Sequence, residues 1–304
     1  MKVSIIGAGN VGATTAQRLA ELDIADVMML DVVEGLAQGK ALDIAQAAPV
    51  MGYNVDVAGT NDYSDISGSD IVIVTAGIAR KPGMDRDDLL ATNIKITREV
   101  CSHIQEHTPG AIIMTVTNPL DVITYAAVKC TQQEGGRVFG MSGLLDSSRF
   151  ATFIAKEIGC SVGDVNAMVL GGHGDSMVPL PEYTTVSGIP LPGLMEKETI
   201  DRLVQRTVNA GAEIVGHLKT GSAFYAPSAA VAIMTEAVLK DTKKIVPASV
   251  YLDGEYALRD ICLGVPVKIG KRGVEEIIEL KLTVDQEHAL KQSAEDVRRG
   301  ILKI

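Results

Sequence analysis

The stretch Val3-Ser4-Ile5-Ile6-Gly7-Ala8-Gly9-Asn10-Val11-Gly12 decides how this chain is read. An apolar run of strand character enters a glycine-rich turn directly, and a helical pattern over residues 11–22 leaves it. In that setting the three glycines have separate tasks. Gly7 permits the tight turn, Gly9 lets a pyrophosphate approach the backbone, and Gly12 allows helix and strand to pack closely. The helix N-terminus behind them offers free N–H donors and partial positive charge to phosphate. The next strand, residues 27–30, ends at Asp31, 19 residues past Gly12, where a carboxylate would accept hydrogen bonds from a ribose diol and repel a 2′-phosphate. The pattern points to NAD rather than NADP; a glycine-rich turn followed by a helix-capping Asp is the plainer alternative. It specifies a cofactor and no reaction.

Outward from this motif, strand and helix patterns alternate through the first half. Strands are expected at residues 3–6, 27–30, 55–58, 71–75, 112–117 and 138–141, and helices at 11–22, 35–47, 89–107 and 119–131. Several strands are apolar at successive positions, as expected where helices cover both faces of a parallel sheet. Six such strands match a doubly wound Rossmann sheet. After about Gly143 the texture becomes α+β, with helices at 147–158, 197–219, 227–240 and 284–302 around strands at 165–170, 249–252, 261–269 and 273–281. The expected division is a dinucleotide-binding domain over 1–143 and an α+β substrate domain over 144–304, with no linker-like tract between them.

Composition narrows the functional classes. The chain has 304 residues, 46% of them hydrophobic and 22% charged, enough apolar surface to fold. Its apolar runs, such as residues 229–234, fall far short of the roughly 18 residues that a membrane-spanning helix needs. A formal charge of −10 disfavours nucleic acid, whose nonspecific binding relies on Lys and Arg neutralising phosphates. An anionic ligand must therefore be held by a few local cations acting against the global field. Cys101, Cys130, Cys160 and Cys262 form no CxxC pair and are expected to be reduced, and a cytoplasmic location is expected.

Candidate cations gather in a few segments. His173, in Gly171-Gly172-His173-Gly174-Asp175, ends an apolar strand between flexible neighbours, where a proton donor would be useful; an ordinary loop histidine fits equally. Arg80 and Arg86 lie in a Pro-Gly loop after the strand at 71–75; as guanidinium forks they suit carboxylates, or they belong to a solvated charge run. Asp146 and Arg149, three apart, share a helix face, as would any surface ion pair. Asn118, in Thr117-Asn118-Pro119, lies at a strand end on the carboxyl edge of the expected sheet. His103 and His107 are spaced i, i+4 without a third ligand, so a solvated helix end and no metal is the expectation there.

Together these segments resemble the lactate/malate dehydrogenase family over essentially the whole chain, in particular its lactate-dehydrogenase-like bacterial malate dehydrogenases. The match is carried by GAGNVG at Gly7, LDVVEG at Leu30, TAGIARKPGMDRDDLLATN ending at Asn93, VTNPLDV at Val116, LLDSSRF at Leu144, GGHGDSMVP at Gly171 and GSAFYAP at Gly221. The resemblance implies reversible hydride transfer between NAD and a 2-hydroxy acid, with His173 as proton donor and acceptor and Asp146 orienting it. Arg149 would clamp the carboxylate beside the reacting carbon, Arg86 would polarise the carbonyl from a closing loop, and Asn118 would hydrogen-bond the substrate. Gly7, Ala8, Gly9, Asn10, Val11, Gly12, Asp31, Asn93, Val116, Thr117 and Asn118 would contact NAD. The residue six before the polarising arginine carries substrate choice in this family, and here it is Arg80, which can pair with the second carboxylate of oxaloacetate. Ala223 would leave room for that longer substrate. The implied activity is therefore the malate dehydrogenase step of the tricarboxylic acid cycle, in a homotetramer or a dimer. The alternatives are a lactate or other 2-hydroxyacid dehydrogenase, an NAD-dependent glycosidase, which would need a metal-ligating Cys near the nicotinamide, and a non-catalytic NAD-binding protein.

Overall fold

The computed structural model describes residues 1–78, 86–133 and 135–303, without the side chain of Arg86. Arg80 and the Arg86 side chain therefore lie outside the described residues. Among the described residues, one nine-stranded sheet organises the chain. Its first six strands are β1 (Lys2–Ile6), β2 (Asp26–Leu30), β3 (Val57–Thr60), β4 (Ile71–Val74), β5 (Ile112–Thr115) and β6 (Val138–Gly140). They pair in parallel in the order β3-β2-β1-β4-β5-β6, the doubly wound Rossmann arrangement. Every residue of β4 and β5 is buried, because helices cover both faces. The covering helices are α1 (Asn10–Glu21), α2 (Leu36–Met51), α3 (Arg86–His107) and α4 (Leu120–Thr131). β3 begins two residues later than its apolar pattern suggested. Helix α3 begins at Arg86, three residues before the expected start at Leu89, with Asp87 and Asp88 in its first turn, where acidic groups complement the helix dipole.

Past β6 the sheet does not end. Helix α5 (Gly143–Ile158) starts at once, and the expected strand over 165–170 divides into β7 (Val165–Asn166) and β8 (Val169–Leu170). These two join separate small sheets, β8 with β9 (Val178–Pro179), and β7 with β10 (Thr185–Val186), which also pairs with β11 (Ile189–Pro190). Helices α6 (Lys197–Leu218) and α7 (Tyr225–Leu239) follow, then β12 (Lys244–Asp253), β13 (Arg259–Gly270), β14 (Gly273–Ile277) and α8 (Val284–Ile301). β12, β13 and β14 are antiparallel and extend the Rossmann sheet, with Ser249 of β12 opposite Gly140 of β6. The C-terminal half thus adds its own strands to the parallel sheet, making one mixed sheet that runs across the expected division at residue 143.

Two glycines of the opening motif are required by the packing itself. Gly7 has φ +105°, and a Cβ there would lie 2.7 Å from the Ala76 nitrogen; a Cβ on Gly12 would lie 1.9 Å from the Gly7 carbonyl oxygen. Gly9, by contrast, has nothing within 4 Å of an added Cβ. The space beside Gly9 is open, as the approach of a ligand requires. Gly12→Ala is expected to destabilise the fold by about 1–3 kcal/mol through overpacking, whereas Gly9→Ala should leave the thermal midpoint nearly unchanged and weaken NADH binding. Thermal denaturation beside an NADH titration checks both, and equal stability losses would show that the clash at Gly12 is relieved elsewhere.

Candidate active site

The phosphate loop leaves β1 at the point where the strand order reverses between β1 and β4, which is where doubly wound sheets bind their ligands. Gly9 is the N-cap of α1 and offers no side chain to the first-turn amides, so their donors face the loop. Asp31 ends β2 and braces that loop: its Oδ2 accepts from the Ala8 backbone N–H at 2.7 Å and its Oδ1 from Val33 N–H at 2.9 Å. A carboxylate has spare lone pairs beyond these two bonds, so a ribose diol can still be accepted. Lys40 of α2, which the sequence reading passed over, donates to the Ala8 carbonyl at 2.7 Å. Nothing in its local sequence marks it, since only the fold brings α2 across the loop.

Asn118 precedes a cis peptide bond to Pro119, at the C-terminal edge of the sheet. Asn93 of α3 supports this turn from below. It is buried, its Nδ2 donates to the Asn118 carbonyl at 2.8 Å, and its Oδ1 accepts from Ile78 N–H at 2.9 Å. Asn93 thus braces the turn at Asn118, with its amide engaged by backbone. Val116 and Thr117 are buried beneath the same turn, and the Thr117 hydroxyl donates to the Ala76 carbonyl at 2.7 Å.

His173 is delivered by the bridge between Gly171 and Gly264 of β13, with Gly171 N–H donating to the Gly264 carbonyl at 2.8 Å. Gly171 has φ +85°, and a Cβ on Gly264 would stand 2.5 Å from the Gly171 oxygen. Gly171 and Gly264 are therefore packing requirements, whereas Gly174 has nothing within 4 Å of an added Cβ. Two further residues hold this segment. Ser293 of α8 accepts from Gly172 N–H at 2.8 Å, and Asp121 of α4 accepts from His173 N–H at 2.7 Å through Oδ2 and from the Ser249 hydroxyl at 2.7 Å through Oδ1. The carboxylate of Asp121 is buried, and burial pushes its pKa up while those two bonds pull it back. Asp121 stands in the quoted VTNPLDV segment, yet it reads there as an ordinary helix-start acid; its partners are 52 and 128 residues away.

Asp146 and Arg149 do share a face of α5, and the pair is no surface bridge. Asp146 is 2% exposed and Arg149 13%. One carboxylate oxygen of Asp146 accepts from Arg149 NH1 at 3.0 Å, and the other lies 2.8 Å from His173 Nδ1. Burial alone would lower the pKa of His173; the charge and hydrogen bond of Asp146, with the charge of Asp121, outweigh it, and Arg149 opposes them more weakly. The net effect is a histidine that keeps its proton above its ordinary range. Nδ1 faces Asp146, so Nε2 is the nitrogen left to exchange a proton. The Arg149 Nε is buried with no hydrogen-bond partner among the described residues, a donor in need of an acceptor.

Arg149 and His173 line one cavity of about 370 Å³, with Asp146 behind them. Val11 of the phosphate loop, Asn118, Arg149, His173 and Ala223 all contribute to its wall. Of the site residues expected from the sequence, Val11, Val116, Asn118, Arg149 and His173 lie on this wall and Asp146 is bonded to two of them, whereas Gly7 to Asn10, Gly12, Asp31, Asn93 and Thr117 lie off it, and Arg80 and the side chain of Arg86 lie outside the described residues.

Two family models match the chain: the lactate/malate dehydrogenase NAD-binding domain over residues 1–140, and the alpha/beta C-terminal domain of the same family over 144–304. The chain belongs to the lactate/malate dehydrogenase family. Within the family it is 62% identical to a malate dehydrogenase of Methanosarcina acetivorans, covering 100% of this chain and 99% of that one. Among solved structures, the apo malate dehydrogenase of Picrophilus torridus superposes with a TM-score of 0.97 at 47% identity, covering 99% and 96% of the two chains. The lactate dehydrogenase of Cryptosporidium parvum, solved with lactic acid and NAD, superposes at 0.95 with 43% identity and the same coverage. The family's N-terminal domain binds NAD, and the open face at Gly9, the uncapped start of α1 and the placement of Asp31 all fit that cofactor.

An NMR titration of the His173 ring is expected to show a pKa above the ordinary histidine value. Asp146→Asn should lower it, since the adjacent negative charge is what favours the protonated ring. Asp121→Asn should lower it less; a shift unmoved by Asp146→Asn would contradict the electrostatic account.

Proposed function

We propose that this chain is an NAD-dependent malate dehydrogenase that interconverts (S)-malate and oxaloacetate. The observation that carries the reading is the shared carboxylate of Asp146, which holds a proton-exchanging histidine and a carboxylate-binding arginine on the wall of one cavity. Residues 1–143 hold the dinucleotide through Gly7, Ala8, Gly9, Asn10, Val11, Gly12 and Asp31, with Asn93, Val116, Thr117 and Asn118 shaping the nicotinamide side. Residues 144–304 present His173 and Arg149. Bound NAD supplies the hydride acceptor at C4 of its nicotinamide.

In the reducing direction, protonated His173 gives its Nε2 proton to the oxygen at C2 of oxaloacetate; in the oxidising direction the neutral ring takes it back. Asp146 fixes the ring and its tautomer. Arg149, with NH1 committed to Asp146, turns its remaining N–H groups to the carboxylate beside the reacting carbon. Asn118 donates to the substrate. Arg86 stabilises the charge that develops on oxygen. Arg80 pairs with the distal carboxylate, and a bound monocarboxylate would leave that cation without a partner. Such an unpaired charge costs about 3 kcal/mol or more, roughly a hundredfold in rate.

Homo-oligomerisation, as a tetramer or a dimer, is part of the reading. Helix α2 and the turn before it leave Val32, Val33, Leu42, Val50 and Met51 exposed, an apolar surface that a second copy would cover. No helix among the described residues is long and apolar enough to cross a membrane, and a cytoplasmic site of action accords with the four free cysteines.

Oxidation of NADH with oxaloacetate and pyruvate in parallel tests the function, oxaloacetate being strongly preferred. Arg80→Gln should depress kcat/KM for oxaloacetate about a hundredfold while changing pyruvate little; equal losses would remove Arg80 from substrate choice. Oxaloacetate reduction needs the proton on His173, so its kcat/KM should hold through the ordinary histidine range and fall as pH rises through the raised pKa. Malate oxidation should climb across the same window. A pair of pH profiles checks the sign. His173→Asn should bind NADH and lose turnover by about 10²–10⁴-fold, and near-normal turnover would exclude it as the acid.

A further inference from the structure

The C-terminal end of α3 carries three metal-ligating side chains that the proposed reaction does not use. His103 and His107 lie one helical turn apart, and Glu106, between them on the same helix, turns its carboxylate towards both rings. Glu106 Oε2 is 3.9 Å from His103 Nδ1 and 3.8 Å from His107 Nε2. One donor atom from each of the three residues falls within 4.8 Å of the other two. These separations are too long for hydrogen bonds. His103 Nδ1 is buried and has no hydrogen-bond partner among the described residues. A buried ring nitrogen left in this state loses its solvation without compensation, and the nearby carboxylate does not reach it.

The surroundings hold the arrangement in place. Tyr63 stacks on the His103 ring with centroids 3.9 Å apart and planes 12° from parallel, and the His107 ring lies within 11° of the His103 plane. A depression of about 590 Å³ opens in front of the three residues, and its other wall is formed by Thr60, Asn61, Asp62 and Tyr63. Asp62 lines the depression with His107, and its carboxylate is held by the Ser64 N–H at 2.8 Å. The end of α3 adds its own partial negative charge.

We propose that His103, Glu106 and His107 bind one first-row divalent transition cation, zinc fitting best, with Asp62 adding negative charge at the opposite wall. Two imidazoles and a carboxylate are a donor set that suits zinc, at about 2.0–2.2 Å from each atom. Tetrahedral ligation at those lengths places donors roughly 3.3 Å apart, so Glu106 closes on each ring by about half an ångström and the most separated donors by up to about 1.5 Å. Glu106 is 66% exposed and free to make that adjustment. Two histidines spaced i, i+4 on a helix present their nitrogens to one cation. Magnesium and calcium, which select oxygen donors, are disfavoured.

The site stands apart from the chemistry. Ten residues of α3 separate His103 from Asn93, roughly 15 Å along the helix. The wall it faces is tied to the ribose side, since Asn61 Nδ2 donates to the Asp31 carbonyl at 2.6 Å and to the Val33 carbonyl at 3.1 Å. A bound cation therefore stiffens the end of α3 beside the segment that carries Asp31. It stabilises the folded chain by mass action and takes no part in proton transfer.

The test is titration of chelator-stripped full-length protein with zinc chloride against a chromogenic zinc indicator, with thermal midpoints read beside it. The expected result is one equivalent bound at a Kd of about 10 μM or tighter, with a raised midpoint and no displacement by excess magnesium. His103→Ala and His107→Ala should each weaken that equivalent at least about tenfold and abolish the zinc-dependent rise. NADH turnover of both variants should be unchanged, because both side chains lie outside the cleft, and the zinc-dependent rise is read against each variant's own metal-free midpoint. Absence of a tight equivalent, or one kept at full affinity in both variants and hence bound by other groups such as the cysteines, would overturn the assignment.

Discussion

The carboxylate of Asp146 is buried between two groups that need it. It accepts from Arg149 on one oxygen and faces His173 Nδ1 with the other, so a single anion sets the orientation of a base and of a guanidinium at once. Removing a charge from such a position would leave its partners buried and uncompensated, which costs far more than the loss of an exposed ion pair. The same carboxylate determines the sign of the His173 shift, because burial alone would drive the imidazole towards neutrality. The proposed proton exchange in either direction depends on that balance.

Much of the C-terminal half supports this one contact. The bridge between Gly171 and Gly264, the Ser293 hydroxyl of α8 and the Asp121 carboxylate of α4 each bind backbone within three residues of one another. They come from a strand, a helix at the end of the chain and a helix of the Rossmann half. That convergence is possible because β12 to β14 extend the parallel sheet, bringing β13 and α8 beside α4. Hydrogen bonds to a charged acceptor contribute about 1.5–3 kcal/mol, so Asp121 is a strong anchor for the segment as well as a second source of negative charge near His173.

The acidic balance of the chain acquires a local meaning here. A net charge of −10 describes the surface at large, while Arg149 and His173 turn positive groups into one cavity. In the proposed reaction an anion would be held there by buried donors such as the Arg149 Nε, where the dielectric is low and the global field is secondary. Lys40 shows the same economy at the phosphate loop, where its ammonium reaches the Ala8 carbonyl.

The Rossmann half was legible because its determinants are local. A run of apolar residues, a glycine at each place where a Cβ would strike the next turn, and an acid at the following strand end all act within about 30 residues, so pattern alone carries them. The identities of His173, Asp146 and Arg149 were legible through their motifs, yet spacing could not tell an i, i+3 surface pair from a buried triad. That distinction rests on burial, which is a property of the whole chain. The splitting of residues 165–170 between two sheets, the joining of β12 to β6, and the partners of Asp121 and Lys40 were likewise invisible, since each depends on contacts between residues far apart in sequence. By itself, then, the sequence determined the dinucleotide fold and the inventory of charged groups, because short-range sterics and periodicity encode both. Only the tertiary structure decided which charges are buried together, because desolvation and long-range hydrogen bonding exist only once the sheet is assembled.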